Sequence, residues 1–211
     1  MGEIKSALEL ALERTADIQG DKTKLHEHDA LQRGKRLASK FLHPDPDSEE
    51  EPVNLKEELK KVNKEDIKLV KQGVFDVILS NITLPHDEMN EKLLDRAASG
   101  LEVLLNNRKQ VDYIFKQLKE FFGQYLQNKE QVRQNLEQQF APRLRQKAEA
   151  LKEKFGAAVD LDPATDPEFA EYLKQNYAEL NKQYQEALNQ LKEQLKRSEE
   201  HTSELQSLLI I

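Results

Sequence analysis

Apolar side chains recur at intervals of three and four residues along most of this 211-residue chain. That spacing places them on one side of an α-helix, whereas a half-buried strand would alternate at every second residue. Charged residues make up 34% of the sequence and apolar residues only 37%, so there is little apolar surface for a thick globular core. We therefore predict an all-α fold: an elongated helical bundle or antiparallel coiled-coil hairpin with an N-terminal helical segment.

The most regular repeat lies near the end of the chain. Its apolar positions are spaced by 4, 3, 4, 3 and 4 residues, which is the seam of a coiled coil. They are Leu173, Tyr177, Leu180, Tyr184, Ala187 and Leu191. Leu188 and Leu195 widen this seam on one side. Its partner is either the preceding helix, antiparallel across a turn between residues 156 and 167, or a second copy of the protein.

The N-terminal segment shows two successive helical stripes separated by Gly20. The second stripe consists of Leu25, Leu31, Leu37, Ala38, Phe41 and Leu42. Because glycine is a poor helix former, we expect a stop or a sharp bend at Gly20. The segment then forms either a helical hairpin or one long kinked helix.

Further along the chain, local signals predict where helices begin and end. Pro85, followed by acidic residues, matches the first position of a helix, and Asn106 begins a turn. Pro142 must kink or end the long helix that precedes it, because proline lacks the N–H donor. Asp166 can cap a helix that has Pro167 at its first position, or Thr165 and Glu168 can form a capping box.

The stretch from Ile67 to Ile82 is the most apolar and β-branched part of the chain. Its apolar residues are three and four apart, with no alternation of two, which favours a buried helix. A strand is the alternative.

These patterns divide the chain into four parts. Residues 1–42 are an N-terminal helical segment, and residues 43–53 an acidic, proline-rich linker. Residues 54–196 form a helical main body that ends in a long helix pair, and residues 197–211 are a non-native tail. The linker contains prolines and clustered acids that cannot occupy a helix interior.

The tail is assigned by its match to a nucleotide sequence. The eleven residues from Arg197 to Ser207 read as the in-frame translation of a common sequencing-library adapter. We interpret them as an assembly artefact and leave them out of the reasoning about the fold. A polar helix end is the alternative.

Charge and composition argue against several classes of protein. The chain has a net charge of −7, whereas a general nucleic-acid binder needs a basic face for the phosphates. It has no cysteine, so it has no disulfide, thiol nucleophile or cysteine zinc site. We found no secretory signal and no apolar run long enough to span a bilayer, which predicts a cytoplasmic protein without a transmembrane segment.

The ionisable residues give no convincing reactive site. His26 and His28 are two residues apart and point about 200° apart on a helix, so they cannot chelate one metal ion together. His26 and Asp29 could bind one ion together, but no third ligand is evident, and a solvated charged face is the better interpretation. His86 beside Asp87 is better explained as a helix start than as a general base. We predict no catalytic, cofactor-binding or metal-binding residue, and no enzyme activity.

Three segments carry a resemblance to a known group of proteins. They are the opening Met1–Thr15, the block Gly34–Leu42 and the helix entry Asp166–Phe169. In these segments the chain resembles a family of short, uncharacterised bacterial helical proteins. The resemblance implies a domain of unknown function, without assigned catalytic residues.

The function predicted from the sequence is a non-enzymatic structural or protein–protein interaction module that binds a protein partner or self-associates through its long helices. Glutamines crowd the stretch between Gln110 and Gln146, which suggests side-by-side helix contacts. One alternative is reversible binding to membrane surfaces, suggested by basic residues beside the N-terminal stripe. These are Lys5, Arg14, Lys35, Arg36 and Lys40. The other alternative is a stalk or peripheral subunit of a larger assembly.

Overall fold

The computed structural model describes residues 7–45, 52–156 and 162–208. The side chains of α1 are described from Thr23 onward, and those of the last helix as far as Arg197. Lys5, the side chain of Arg14 and the centre of the acidic linker at 46–51 therefore lie outside the described residues. So do the side chains of the adapter-like tail beyond Arg197.

The described residues form six α-helices, one short 3-10 helix and no strand. The helices are α1 (Ala7–Leu42), α2 (Leu55–Lys60), α3 (Ile67–Asn81), α4 (Glu91–Leu105), α5 (Arg108–Phe155) and α6 (Pro167–Leu208), and the 3-10 helix is Pro163–Thr165. The all-α prediction is confirmed. The apolar stretch after Ile67 is the helix α3, and its alternative as a strand is wrong.

Contacts between residues divide the chain into two compact units. The first unit contains Met1–Ile82 and Glu91–Val111, and the second contains Thr83–Asn90 and Asp112–Ile211. The sequence left open whether the N-terminal segment packs on the rest of the chain. In the first unit, α1 packs directly against α3.

Two glycines bring the backbones of α1 and α3 into contact. A Cβ atom on Gly34 would lie 2.1 Å from the carbonyl oxygen of Val70, and one on Gly73 would lie 2.3 Å from that of Leu31. No side chain larger than hydrogen fits at either position without moving a helix. The two helices run in the same direction, because His26 contacts Asp66 at one end and His43 contacts Asn81 at the other.

The remaining helices of the first unit complete its core. Leu55 and Leu59 of α2 are buried, and Gly100 of α4 lies close to Ile78 of α3. Arg96 of α4 donates a hydrogen bond of 3.1 Å to the carbonyl oxygen at the C-terminal end of α1. This bond satisfies one of the carbonyl groups that the end of a helix leaves unpaired.

Two expectations about α1 are wrong. Gly20 neither stops α1 nor separates two helices, because α1 is a single helix that continues through it. One interior glycine weakens a helix by about 1 kcal/mol, which its neighbours can offset. Leu25 does not belong to the buried face, since it is 62% exposed. The buried positions after it are Ala30, Gly34, Ala38 and Leu42, which are spaced by four.

The prediction for Pro85 is wrong, and one of the two alternatives for Pro142 is excluded. Pro85 does not start a helix, because α4 begins only at Glu91. The intervening loop instead contacts α5, where Lys129 bonds the carbonyl oxygen of His86 and lies 3.7 Å from the Asp87 carboxylate. Pro142 does not end its helix, since α5 continues through it to Phe155.

Candidate functional site: the α5–α6 hairpin

The second unit is built around an antiparallel pair of long helices. Tyr125 of α5 packs against Tyr184 of α6, and Phe140 packs against Phe169. A residue later in α5 thus contacts a residue earlier in α6, so the two helices run in opposite directions. The preceding helix is therefore a partner of α6, as one of the two sequence interpretations predicted.

Aromatic rings and amides share the middle of the interface. Tyr184 lies between Phe121 and Tyr125, with ring centroids 5.0 Å and 5.2 Å away. Tyr125 donates a hydrogen bond of 2.6 Å to Asn181 Oδ1, and Asn128 donates one of 2.7 Å to the Tyr184 hydroxyl. Each tyrosine thus buries its ring and pairs its hydroxyl across the helices, which fixes how far one helix is shifted along the other.

A charged side chain next to these rings also makes a contact across the interface. The Lys129 ammonium lies 5.2 Å from the centroid of the Tyr177 ring. Burial raises the pKa of the Tyr125 and Tyr177 hydroxyls, because a phenolate would lose its hydration there. Both tyrosine hydroxyls are therefore protonated and neutral at physiological pH.

None of the six predicted seam residues is fully buried. Each is half-buried, and they are Leu173, Tyr177, Leu180, Tyr184, Ala187 and Leu191. The deeply buried positions on α6 are Phe169, Leu188 and Leu195, with exposures of 3%, 0% and 3%. The seam that contacts α5 is therefore centred slightly to one side of the predicted row, toward Leu188 and Leu195.

A second apolar group closes the end of the hairpin. We call it the distal cluster, and it consists of Leu136, Phe140, Leu144 and Phe169. The Phe140 and Phe169 rings meet edge to face, with centroids 5.5 Å apart. The cluster holds residues on both sides of Pro142, which explains why α5 remains helical through the proline.

The start of α6 is fixed by Asp166. Its Oδ1 atom accepts hydrogen bonds from the backbone N–H groups of Glu168 and Phe169, at 2.9 Å and 3.3 Å. Its other oxygen lies 2.5 Å from the Lys147 ammonium of α5, and Arg143 pairs with Glu168 at 2.7 Å. The predicted cap is confirmed, and the structure adds that its carboxylate is shared between the two helices.

A hollow of about 400 Å³ lies beside this cap. Its apolar lining includes Leu144, Leu151 and Pro167, and the Lys147–Asp166 pair forms its polar wall.

The histidines singled out in the sequence do not converge on a common site. His26 Nε2 lies 2.8 Å from the Asp66 carboxylate at the start of α3, while His28 and Asp29 are exposed. The His86 ring lies 2.7 Å from the Asp87 carboxylate, and both side chains are at least 80% exposed. The hydrogen bond from His86 lowers the pKa of Asp87.

The described residues contain neither a metal-binding cluster nor a membrane-spanning helix. No three His, Asp or Glu side chains in those ranges lie close enough to hold a metal ion. Among the described helices, none combines the length and the apolar character that crossing a bilayer requires.

Sequence reasoning missed the two asparagines of the interface. Asn128 and Asn181 are polar, so a search for apolar spacing passes over them. A usable signal was present, because Asn181 lies one helical turn before the seam residue Tyr184 and one turn after Tyr177. Polar residues at such positions commonly fix the alignment of paired helices.

One family match decides the relationship of the chain. The family model described as a family of unknown function (DUF6657) matches residues 56–197. The chain belongs to this family. The match covers nearly all of α2, the whole of α3 to α5, and α6 as far as Arg197. No curated protein and no solved structure matches the chain.

The shared carboxylate at the start of α6 gives a pH-dependent prediction. The hydrogen bond from Lys147, followed by those from the Phe169 and Glu168 amides, lowers the pKa of Asp166. A lowered folded-state pKa means that the carboxylate stabilises the fold above its unfolded pKa of about 3.9, and that this contribution disappears as the pH falls through the folded value. In Asp166→Asn the cap remains but the charge is lost, so we expect a lower melting temperature at pH 7.

The measurement is thermal unfolding, followed by circular dichroism between pH 7 and pH 2.5. The difference in melting temperature between wild type and Asp166→Asn should decrease steadily in acid. The difference between wild type and Lys147→Gln should decrease in the same way. A gap that stays constant down to the lowest pH would show that the Asp166 charge does not stabilise the hairpin.

Proposed function

We propose that this protein is a non-enzymatic structural or interaction module that works through helix-to-helix contacts of its α5–α6 hairpin. The observation that carries the proposal is the geometry of that hairpin. Helices of 48 and 42 residues are held together along one seam, and their outward faces are exposed. Such a hairpin offers long helical surfaces to a partner.

The use of the polar groups supports the same proposal. The ionisable and amide side chains between α5 and α6 are engaged in helix capping, in pairing across the helices and in ring contacts. Examples are Asp166 with Lys147, Asn128 with Tyr184, and Lys129 over Tyr177. These roles hold the two helices in one alignment, which a binding surface made of two helices requires.

A membrane-surface role is the second candidate function, and a stalk or peripheral subunit of a larger assembly is the third. For the membrane, Arg36 and Lys40 are exposed, as electrostatic attraction to anionic lipid requires. The apolar side of this part of α1, from Ala30 to Leu42, is however already buried within the first unit. We therefore favour a protein partner, and we place the protein in the cytoplasm as part of this proposal.

The test uses the full chain as bait in lysate from its native host, together with a hairpin variant. Phe140→Ala disrupts the distal cluster, so a protein held by the hairpin should be retained by wild type and released by this variant. The matched control is Leu25→Ala, which removes an exposed apolar side chain from the first unit. Partners should be retained by the control as by wild type.

Co-sedimentation with vesicles of anionic and of neutral phospholipid separates the membrane alternative. We expect the chain to stay in the supernatant with both kinds of vesicle. Pelleting with the anionic vesicles would favour the membrane role. A chain that retains no protein and remains a monomer at every concentration would contradict the interaction proposal.

We also propose that the segment from Arg197 to Ser207 derives from a sequencing adapter. The family match supports this, because it ends at residue 197, where the adapter-like stretch begins. Resequencing the gene from genomic DNA tests it. A genomic reading frame that encodes the same eleven residues would refute it.

A further inference from the structure

The outward face of α5 carries an unusual row of side chains. Six glutamines that follow helical spacing lie on it, all of them exposed: Gln117, Gln124, Gln127, Gln131, Gln134 and Gln138. The row spans about 32 Å at 1.5 Å per residue. Tyr113, which is 63% exposed, extends the row at one end, and Glu120 is the one charged residue within it.

The amides of this row are largely unused within the described chain. Gln117 donates to the Tyr113 hydroxyl at 2.9 Å, and Gln134 donates to Glu130 at 2.8 Å, both within α5. The side-chain amides of the other four have no hydrogen-bonding partner among the described residues. These four are Gln124, Gln127, Gln131 and Gln138. Four of the six glutamines, in the middle of the row and at one end, are thus free to pair with another molecule.

The other helix of the hairpin carries more charge on its outward face. Glu171, Glu179, Lys182, Glu186 and Glu193 are exposed on α6, interspersed with exposed amides such as Gln175, Gln183 and Gln190. A charged face is the ordinary condition of a helix in water. Three of the charges beside the row on α5 are paired with each other, since Arg133 contacts Glu130 at 2.7 Å and Glu137 at 2.8 Å. Apart from Glu120, the row itself is uncharged in a chain that is one-third charged.

We propose that the glutamine row of α5 is the surface on which a second copy of this chain docks, and this inference rests on the proposed interaction function. In a two-fold interface, each copy presents the same patch to the other. A row of side chains with the same charge would face an identical row on the other copy, and the two rows would repel each other. An amide carries both a donor and an acceptor, so it can pair with an identical amide.

Glu120 determines the direction of pairing. In a parallel pair, each Glu120 would lie against the same carboxylate of the other copy, and like charges repel. In an antiparallel pair with its two-fold axis near Gln127, Glu120 lies opposite residue 134 or 135 of the other copy. Both positions are amides, Gln134 and Asn135. The two copies of α5 therefore pair in antiparallel fashion.

Sedimentation equilibrium of the full chain in 0.15 M salt tests the docking surface. We expect the mass of the wild type to rise with concentration from 24.5 kDa toward twice that value. Gln124→Glu combined with Gln131→Glu should weaken association at least about tenfold, and the two corresponding lysine substitutions should do the same. An equal mixture of the glutamate and lysine variants should associate again, because opposite charges then meet.

The matched control places the same two charges on α6. Gln183 and Gln190 are exposed and are seven residues apart, as Gln124 and Gln131 are. Replacing both with glutamate should leave the association constant within about twofold of wild type. Melting curves should show that every variant remains folded, since exposed substitutions change stability little.

A third variant reports the orientation of the two copies. Gln124→Lys combined with Gln131→Glu brings opposite charges together in the antiparallel pair and should keep or strengthen association. In a parallel pair it would bring like charges together, and association would fall.

Each outcome decides a separate question. A wild type that stays at 24.5 kDa up to millimolar concentration, or a loss that is equal in the α6 control, would overturn the docking proposal. If the bait experiment nevertheless retains a partner through the hairpin, the interaction function stands and only the second copy is excluded. If neither self-association nor a retained partner is found, both proposals are wrong.

Discussion

Gly34→Ala should destabilise the first unit by about 3 kcal/mol, near the upper end of what overpacking a core usually costs. The added Cβ would lie 2.1 Å from the carbonyl oxygen of Val70. That oxygen belongs to the backbone of α3, so it cannot rotate away as a side chain could, and the two helices must separate. Alanine gains about 1 kcal/mol of helix propensity over glycine, which offsets only part of this loss.

Urea unfolding followed by circular dichroism measures the effect, and Gly123→Ala is its control. Gly123 lies inside α5, and a Cβ there meets no atom within 4 Å. The same substitution should therefore stabilise the chain at that position, by about 0.5–1 kcal/mol. Gly73→Ala should resemble Gly34→Ala, because its Cβ would lie 2.3 Å from the Leu31 carbonyl oxygen. If Gly34→Ala were as harmless as Gly123→Ala, the backbones of α1 and α3 would not be in contact.

This helix contact also shows what apolar spacing can and cannot predict. The stripe proposed for this part of α1 was built mostly from large side chains, and one of them, Leu25, is mostly exposed. It included Ala38 but not Ala30 and Gly34, the other small residues of the buried face. Small residues four apart are a known mark of close helix packing, so the signal existed in the sequence. A search that scores only large apolar groups does not detect it.

The positions of the long helices were more accessible to sequence analysis. α3 follows from its three-and-four spacing, and the Asp166 cap follows from local chemistry. In such cases the deciding interactions lie within a few residues of each other. Pro85 was misjudged because a distant residue acts there: Lys129 holds the loop after Pro85. Which of the two alternatives holds at Pro142 also depends on distant residues, because the distal cluster holds α5 on both sides of it.

The interface between α5 and α6 depends both on local spacing and on residues that are distant in the sequence. The heptad spacing of α6 predicted a coiled-coil row, and the structure places all six of its residues half-buried. Which residues lie deepest, Leu188 among them, depends on how α5 is rotated against α6. That rotation is set by pairs such as Tyr125 with Asn181, which join residues far apart in the sequence. The sequence of α6 shows the position of Asn181, but it does not show which residue of α5 pairs with it.

Phe140→Ala should have the largest effect on the second unit, lowering its free energy of unfolding by about 3–5 kcal/mol. Phe140 is 5% exposed, and its ring contacts Phe169 edge to face. The Arg143 guanidinium lies 5.4 Å from the same ring. Removing the ring leaves a cavity in the distal cluster next to Pro142, where α5 already lacks one backbone hydrogen bond. The far end of the hairpin should therefore open first.

Denaturant unfolding gives the total loss, and amide hydrogen exchange locates it. Protection should fall most between residues 132 and 173, and least near Tyr125 and Tyr184. Tyr172→Ala is the control, because this ring packs on Phe140 with centroids 5.6 Å apart but is itself 46% exposed. It should cost only about 1 kcal/mol. Equal losses in the two variants, or exchange that rises uniformly along the hairpin, would mean that the distal cluster does not hold that end closed.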